Sequence, residues 1–323
     1  MMQTMETGAR LSPSRLSQFQ TLLQRCGLAD EGDADYFVLL FDAQDTLVAC
    51  GALARNVLKQ IAVAPEAEGE GAAAAVVTAL LQETVLCGYR QAFLFTKPEK
   101  RKQFCSLGFS PVANTDSICM LELPARGIDS FLTALPKFAG DNGCIVLNGN
   151  PLTNGHLRLI RHAASRCAHL YLFVLREENA LFDAATRLRF ARENTRDLPN
   201  VSVHSSDSYL VSRATFPAYF LKSERKIAAK DDLDLALFTQ RIAPALSIRT
   251  RFVGSEPFDP ATAAYNRRMM ALLPPAGIAV EELPRTDGVS ASAVRNLLKA
   301  GRVQDVAPLV PPSVYAYCID HFS

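Results

Sequence analysis

Short β-rich runs alternate with segments of helical pattern through the second half of the chain, and this alternation restricts the fold more than any other feature. The runs lie at 144–148, 169–175, 200–205, 248–254 and 278–285. Helical patterns lie between or after them, at about 155–167, 184–195, 265–273 and from 293 onward. Strands joined by helices pair in parallel, so the pattern predicts a doubly wound, Rossmann-like parallel sheet. Ligands of such sheets bind at the carboxyl ends of the strands.

The first part of the chain has a different order of elements. Three β-rich runs, at 36–42, 46–53 and 57–63, precede an Ala-rich helical segment that begins after Gly71. A further run, a short helix and the turn-like stretch GFSPV at 108–112 follow. The order β-β-β-α-β-α-β predicts a mixed α+β domain.

The length of the chain favours two domains. A single hydrophobic core stops growing at about 250–300 residues, and this chain has 323. Proline and glycine interrupt the stretch between the two patterns. We therefore assign residues 1–125 to the α+β domain, 126–142 to a linker and 143–323 to the Rossmann-like domain.

Composition narrows the classes of function. The 34 basic residues nearly balance the 33 acidic residues, so no global charge favours nucleic acid. Eight cysteines occur singly without a C-x-x-C pair, and no histidine spacing points to a metal site. The amino terminus lacks an apolar leader segment, and no run of apolar residues is long enough to span a membrane. We expect a cytoplasmic protein that binds neither nucleic acid nor membrane.

The loop after the first strand of the second domain carries the clearest chemical signal. It contains Asn148, Gly149, Asn150, Thr153, Gly155 and His156 and leads directly into a helix. Glycine at a helix start lets a phosphate approach the backbone, where free N–H groups and the helix dipole favour negative charge. His156 could donate a hydrogen bond to a phosphate oxygen. An ordinary capping turn with an exposed histidine is the alternative, and no P-loop lysine motif is present.

A second motif follows the last β-rich run. Ser290 or Ser292 can cap the final helix, and Arg295 lies one helical turn beyond Ser292. Hydroxyl groups, exposed amides and a guanidinium at a helix start suit the outer phosphates of a nucleotide. An ordinary capped helix explains the same residues without a ligand.

Together the two motifs, T-x-G-H at 153–156 and S-x-S-x-x-R at 290–295, resemble the paired signatures of the nucleotidyltransferase superfamily. Four blocks narrow the resemblance to the citrate lyase ligase family: NGNPLTNGH, ATFPAYFLK, RFVGSEPFDPATAAYN and VSASAVR, in that order. The stretches LARNVLKQIAV and FLFTKPEKRKQFCSLGF are similar to the amino-terminal acetyltransferase-like (GNAT) domain of that family.

The resemblance implies an enzyme that uses ATP and acetate to acetylate a thiol. That thiol belongs to the CoA-like prosthetic group of the citrate lyase acyl carrier subunit, and AMP and diphosphate are released. Thr153, Gly155 and His156 would hold the α- and β-phosphates, and the second motif, Ser290, Ser292 and Arg295, would hold the β- and γ-phosphates. Mg²⁺ is expected with ATP, but its ligands are not identified.

Further site residues are expected in two other blocks. Lys222 is a candidate for another phosphate contact, with a solvated lysine as the alternative. Gly254, Ser255 and Glu256 follow a predicted strand, where the base or ribose of a nucleotide could lie, with a structural turn as the alternative. Arginines at 187, 189, 192 and 196 are interpreted as a solvated helix face.

The glycine-rich stretch of the first domain combines a suitable backbone with an unsuitable charge. Gly69 and Gly71 fit a loop that binds the diphosphate of CoA, whereas Glu66, Glu68 and Glu70 would oppose it. We therefore expect an acetyltransferase fold without robust acetyl-CoA turnover, which recognises the CoA-like group or its carrier protein.

Three alternatives stay open at this point. A nucleotidyltransferase such as a phosphopantetheine adenylyltransferase would share T-x-G-H. An acetyl-CoA-dependent N-acetyltransferase would use the first domain instead. Acetate-dependent modification of a tRNA base would share the adenylating chemistry but needs a basic surface.

Overall fold

A computed structural model of the chain describes residues 4–69, 71–124, 126–176, 180–206, 209–210, 219–220, 226–256, 259–284 and 289–322. The chain divides into two compact units. The first contains Met1–Thr133 together with Pro217–Ala236, and the second contains Ala134–Phe216 and Leu237–Ser323. The first unit is therefore not one continuous range, whereas the sequence assigned 143–323 to a single domain.

A seven-stranded sheet forms the centre of the first unit. Its elements are β1 (Thr4–Gly8), α1 (Pro13–Arg25), β2 (Tyr36–Phe41), β3 (Leu47–Ala54), β4 (Val57–Val63), α2 (Ala72–Leu86), β5 (Ala92–Thr96), α3 (Arg101–Ser106), β6 (Ser110–Asn114), β7 (Cys119–Leu123) and α4 (Gly127–Ala134). The strand order is β1-β2-β3-β4-β5-β7-β6, with β4 and β5 as the parallel pair.

Side-chain alternation along β2 and β3 gives this sheet two apolar faces. Val38 and Leu40 pack with Val76 of α2 on one face. Leu39 and Phe41 pack on the other face with α1, which contributes Phe19, Leu22 and Leu23. The predicted α+β domain is confirmed.

The stretch GFSPV was wrongly predicted as a turn. Residues Ser110–Asn114 form β6, which pairs antiparallel with β7 at one edge of the sheet. Pro111 has no N–H to donate to a neighbouring strand, which an edge strand tolerates because it pairs on one side only. The turn signal of Pro111 thus reflects the edge position of β6, whereas Gly108 does lie in a turn, directly after α3. Strand β1 and helix α1 had not been predicted.

A five-stranded parallel sheet forms the centre of the second unit. Its elements are β8 (Asn142–Leu147), α5 (Asn154–Ala164), β9 (Leu170–Val174), α6 (Ala184–Glu193), β10 (Val201–Ser205), the end of α7 (Lys226–Leu237), α8 (Ala243–Leu246), β11 (Ile248–Gly254), α9 (Pro260–Leu272), β12 (Ala279–Leu283), α10 (Ala291–Lys299) and α11 (Pro312–Phe322). The strand order is β10-β9-β8-β11-β12. This confirms the predicted doubly wound sheet.

The order of the strands creates a switch point between β8 and β11. From β8 the chain proceeds outward through β9 to β10, and it then returns to the other side of β8 as β11. The connections that leave β8 and β11 therefore diverge, and they open a crevice at the carboxyl ends of these two strands.

A close approach between neighbouring strands requires glycine in β8. A Cβ atom at Gly143 would lie 2.7 Å from Cε2 of Phe252 on β11 and 2.8 Å from Sγ of Cys167. Phe252 is 1% exposed and belongs to the core beneath α5, so it has little room to move.

Among the described helices, none is long and apolar enough to cross a membrane.

We expect Gly143→Ala to destabilise the second unit by about 1–3 kcal/mol, because the added methyl overpacks a filled core. Gly254 on β11 is the matched control, since a Cβ atom there would meet nothing within 4 Å. Urea unfolding of both variants measures the effect. Equal stability of Gly143→Ala and the wild type would contradict this account of the β8–β11 packing.

Candidate active site

The first chemical motif lies at the switch point of the parallel sheet. β8 ends at Leu147, and the connection from Asn148 leads into α5, which begins at Asn154. Because β8 is central and borders β11, the first turn of α5 opens at the crevice between the two strands. The predicted position of the motif, between a strand end and a helix start, is therefore what the structure has.

Thr153 and His156 close the first turn of α5 by reciprocal hydrogen bonds. Thr153 Oγ1 accepts from the main-chain N–H of His156 at 3.3 Å, and the main-chain N–H of Thr153 donates to His156 Nδ1 at 3.0 Å. Histidine thus occupies the position that glutamate takes in a common capping box. Since a main-chain N–H can only donate, Nδ1 accepts and the proton of the neutral ring is on Nε2. The ring therefore presents a donor at Nε2.

The backbone requires glycine at only one of the two glycine positions of the loop. Gly149 has φ +61, a left-handed conformation that favours glycine. Gly155 lacks this constraint, because a Cβ atom there would make only ordinary contacts, the nearest at 3.5 Å from Val289 Cγ1. Backbone geometry and packing thus explain Gly149, but they leave Gly155 unexplained.

Arg295 brings the two motifs together. It lies on α10, and its Nη1 donates to the main-chain oxygen of Asn150 at 2.6 Å. Its Nη2 donates to Ser292 Oγ at 2.9 Å. Ser290 is the N-cap of the same helix and accepts from the N–H of Ala293 at 3.0 Å. Residues that are far apart in the sequence therefore meet at the starts of α5 and α10.

Buried contacts fix the path of the loop on both sides of this bond. Asn150 is 7% exposed, and its Oδ1 accepts from the N–H of Phe182 at 3.1 Å. Asn154 donates from its main-chain N–H to the oxygen of Leu309 and from Nδ2 to the oxygen of Pro308. A loop held at several points can present its N–H groups without reorganising, which favours anion binding.

The predicted base or ribose segment follows the neighbouring strand. Gly254 ends β11, and the N–H of Ser255 donates to the oxygen of Leu283 at 2.9 Å. Glu256 Oε1 accepts from the N–H of Asp259 at 3.3 Å. This segment therefore lies at the carboxyl ends of the parallel strands, as does the loop at 148–156. Glu256 also accepts a hydrogen bond just before α9 begins.

The remaining predicted site residues are not part of this crevice as the structure describes it. Lys222 lies outside the described residues. Gly69 and Gly71 belong to the first unit, where φ values of +87 and +80 account for glycine without a ligand. Within the described ranges, no group of three or more metal-ligating side chains occurs.

Arg187 is a buried residue beside this loop, and the sequence interpretation missed its burial. The prediction of a solvated face was wrong for this residue, because Arg187 is 1% exposed. Its Nη1 donates to Oδ1 and to the main-chain oxygen of Asn148, at 2.6 and 2.8 Å. The sequence signal available was Phe190 and Ala191, which lie three and four residues after Arg187 on α6 and therefore share its buried face.

Two buried cysteines of the second unit are poorly suited to act as nucleophiles. Burial raises the pKa of Cys144 and of Cys318 to about 11, so neither thiol ionises readily near neutral pH. Burial lowers the pKa of His204 to about 4, with the charges of His169 and Arg192 adding to the effect. His204 and His169 both hydrogen-bond to Ser202 Oγ. With a pKa of about 4, His204 is neutral near neutral pH.

Comparisons with known proteins point to one family. Residues 142–318 match the family model described as citrate lyase ligase C-terminal domain. The chain is 38% identical over 316 residues to the citrate (pro-3S)-lyase ligase of Klebsiella pneumoniae, covering 94% of this chain and 92% of that protein. It is 33% identical over 326 residues to the protein of the same name from Escherichia coli strain K12, covering 95% and 91%. The chain belongs to the citrate lyase ligase family.

Among solved structures, this citrate lyase ligase family member is similar to an acetyltransferase from Streptococcus agalactiae. The match covers 36% of this chain and 96% of that chain, with a TM-score of 0.32 and 14% identity.

We expect Thr153→Ala to lower the stability of this citrate lyase ligase family member by about 1 kcal/mol, because the N-cap acceptor of α5 is lost. Thr153 is 2% exposed, so water does not readily replace the missing hydroxyl. Thr153→Ser keeps the oxygen and should keep most of the stability. Urea unfolding compares the variants, and an equal loss in Thr153→Ser would argue against capping as the cause.

Proposed function

We propose that this protein is an ATP-dependent acetate:thiol ligase that activates citrate lyase. Its acceptor is the thiol of the CoA-like prosthetic group on the citrate lyase acyl carrier subunit, and it acts in the cytoplasm. AMP and diphosphate are the other products. Family membership over nearly the whole chain supports this choice of substrates.

The observation that carries the proposal is the hydrogen bond from Arg295 to Asn150. This bond joins the start of α10 to the loop before α5 at the switch point of the sheet. Two helix starts, a guanidinium and a histidine donor together suit a chain of phosphates better than a single anion.

Acetate and ATP react first. A carboxylate oxygen of acetate attacks the α-phosphorus, the bond to the oxygen that bridges the α- and β-phosphates breaks, and diphosphate leaves with that electron pair. We assign Thr153, Gly155 and His156 to the α- and β-phosphates, where Nε2–H of His156 donates to an oxygen that gains charge. We assign the second motif, Ser290, Ser292 and Arg295, to the β- and γ-phosphates, where donors aimed at developing charge lower the barrier.

The carrier thiol reacts second. Its sulfur attacks the acetyl carbonyl of the acetyl-adenylate, the carbonyl carbon–oxygen bond to AMP breaks, and the thiol proton passes to water. No nucleophile from this chain is required. The raised pKa values of Cys144 and Cys318 agree with this assignment.

Further contacts complete the proposed site. Asn148, Gly149 and Asn150 would shape the phosphate loop, and Gly254, Ser255 and Glu256 would face the base or ribose. Lys222 would add a phosphate contact. Mg²⁺ would enter with ATP, since this ion is commonly bound through substrate phosphates and water with few protein ligands.

We expect His156→Ala to lower acetate-dependent ATP–[³²P]diphosphate exchange by about 100-fold or more, because removal of one preorganised donor costs at least this much. Exchange is measured with and without acetate and across a panel of short carboxylic acids. His162→Ala on the same helix is the control, because His162 lies at the far end of α5 from the crevice and pairs with Glu281.

Two results of this experiment would count against the proposal. Near-normal exchange in His156→Ala would remove the histidine from the phosphate site. Exchange that is indifferent to every acid would favour a phosphopantetheine adenylyltransferase-like reaction, which releases diphosphate without a carboxylic acid.

We assign the first unit to recognition of the CoA-like group or of its carrier protein, with the loop of Gly69 and Gly71 as the contact. Glu66 beside these glycines is held by Arg25, whose Nη2 donates to both carboxylate oxygens at 3.0 Å. A hydrogen bond from its own main chain and the bonds from Arg25 lower the pKa of Glu66, so the carboxylate stays charged at the loop. A negative charge there disfavours the diphosphate of acetyl-CoA.

The full-length protein should therefore transfer no acetyl group from labelled acetyl-CoA to an amine panel above the rate in buffer. The same preparation must be active in acetate-dependent exchange, so that a lack of acetyl transfer cannot be attributed to inactive protein. Transfer at an enzymatic rate without ATP would assign catalysis to the first unit.

A further inference from the structure

Strands β4 and β5 of the first unit pair over only part of their length. The parallel register joins residues 57 and 58 of β4 to residues 93 and 94 of β5. Beyond this point the two strands are not paired with each other, although β4 continues to Val63 and β5 to Thr96. Unpaired strands leave main-chain N–H and C=O groups on their facing edges, and these groups need other partners when they are buried.

A bulge in β4 explains why the pairing ends. Gln60 has φ +56, a left-handed conformation that residues other than glycine rarely adopt. At the same place β4 has two residues, Gln60 and Ile61, opposite the single Gly51 of β3, which defines a β-bulge. A bulge bends the strand that contains it. The bend turns β4 away from β5 and opens a gap between their carboxyl ends.

The hydroxyl of Tyr219 lies where the next hydrogen bond of the ladder would be. Phe93 donates from its N–H to the oxygen of Asn56, just before β4, so Phe95, two residues further on, also faces β4. In a continuous parallel ladder, the oxygen of Phe95 would accept from the N–H of Gln60. Here Oη of Tyr219 donates to this oxygen at 3.3 Å. Burial raises the pKa of Tyr219, against the smaller effect of the main chain of Gln60, so the hydroxyl keeps the proton that it donates.

Tyr219 and Phe220, which we call the plug, are held in the first unit by several contacts. Both residues are buried, and their rings meet edge to face with centroids 5.0 Å apart. The main-chain oxygen of Tyr219 accepts from the N–H of Ala29 at 2.9 Å. Nζ of Lys59, on β4, lies 5.9 Å from the centroid of the tyrosine ring, within range of a cation–π interaction. The plug is therefore fixed by its backbone as well as by its side chains.

We propose that the plug closes the opening between β4 and β5 to an extended ligand that carries amide groups, such as the pantetheine arm of a CoA-like group. An extended amide chain binds the edge of a strand through main-chain hydrogen bonds. Such a chain would compete with the tyrosine hydroxyl for the oxygen of Phe95 and with the two rings for space.

This closure gives a reason besides charge for the expected lack of acetyl transfer, because an arm that cannot enter the sheet cannot be acylated there. The inference concerns the opening between β4 and β5 and not the loop of Gly69 and Gly71. It does not depend on the proposed ligase reaction.

Tyr219→Ala tests the proposal with pantetheine as the probe, because pantetheine has amide groups but no diphosphate for Glu66 to repel. We expect calorimetry to show that pantetheine binds the full-length variant at least about 10-fold more tightly than the wild type, which can bind only while the plug is displaced. Tyr89→Ala, at an exposed tyrosine of the same unit, is the control and should behave like the wild type. Equal affinity in Tyr219→Ala and the wild type, including no binding to either, would overturn the proposal.

Tyr219→Phe provides a second test, which applies even if Tyr219→Ala does not fold, because it keeps the ring and removes only the hydroxyl. Hydrogen exchange in the full-length protein should become at least about 10-fold faster at the amide of Gln60, which loses the hydroxyl beside it. Exchange at Phe93, whose N–H donates to Asn56 outside the opening, should change by less than about twofold. Unchanged exchange at Gln60, or an equal increase at both amides, would overturn the proposal.

Discussion

The hydrogen bonds that close the first turn of α5 are the interactions on which the rest of the site depends. Thr153 caps this helix, and its main-chain N–H fixes the ring of His156 through Nδ1. The same bonds therefore satisfy the helix start and choose the tautomer with its proton on Nε2. Stability and chemistry are coupled here, because a change in the cap also releases the histidine donor.

Two arginines extend this arrangement in different ways. Arg295 holds the loop to α10 from a position that is partly accessible, through the main-chain oxygen of Asn150. Arg187 holds the beginning of the loop from within the protein, through both oxygens of Asn148. Each guanidinium bonds to oxygen atoms of the loop. Positive charge thus surrounds a loop whose own side chains carry little charge, a favourable setting for a polyanion.

The fold was largely predictable where local pattern and tertiary role agree. The central strands β8 and β9 are rich in apolar residues because parallel strands at the centre of a sheet are covered on both faces, and the alternation of strands with helices predicts the fold class. The edge strand β6 and the burial of Arg187 are not predicted, because there the local pattern and the tertiary role disagree. Pro111 has the signal of a turn, and arginine has the signal of a solvated surface, but the neighbours that change these meanings are distant in the sequence.

The helix starts can be predicted from local sequence, because the capping threonine of α5, the glycine and the histidine lie within one helical turn. It also determined family membership through blocks of contiguous residues. Only the folded chain shows that β8 borders β11, that Arg295 hydrogen-bonds to Asn150 and that Arg187 is buried away from water. These properties depend on hydrogen-bond partners and on loss of water, and both are set by segments that only folding brings together.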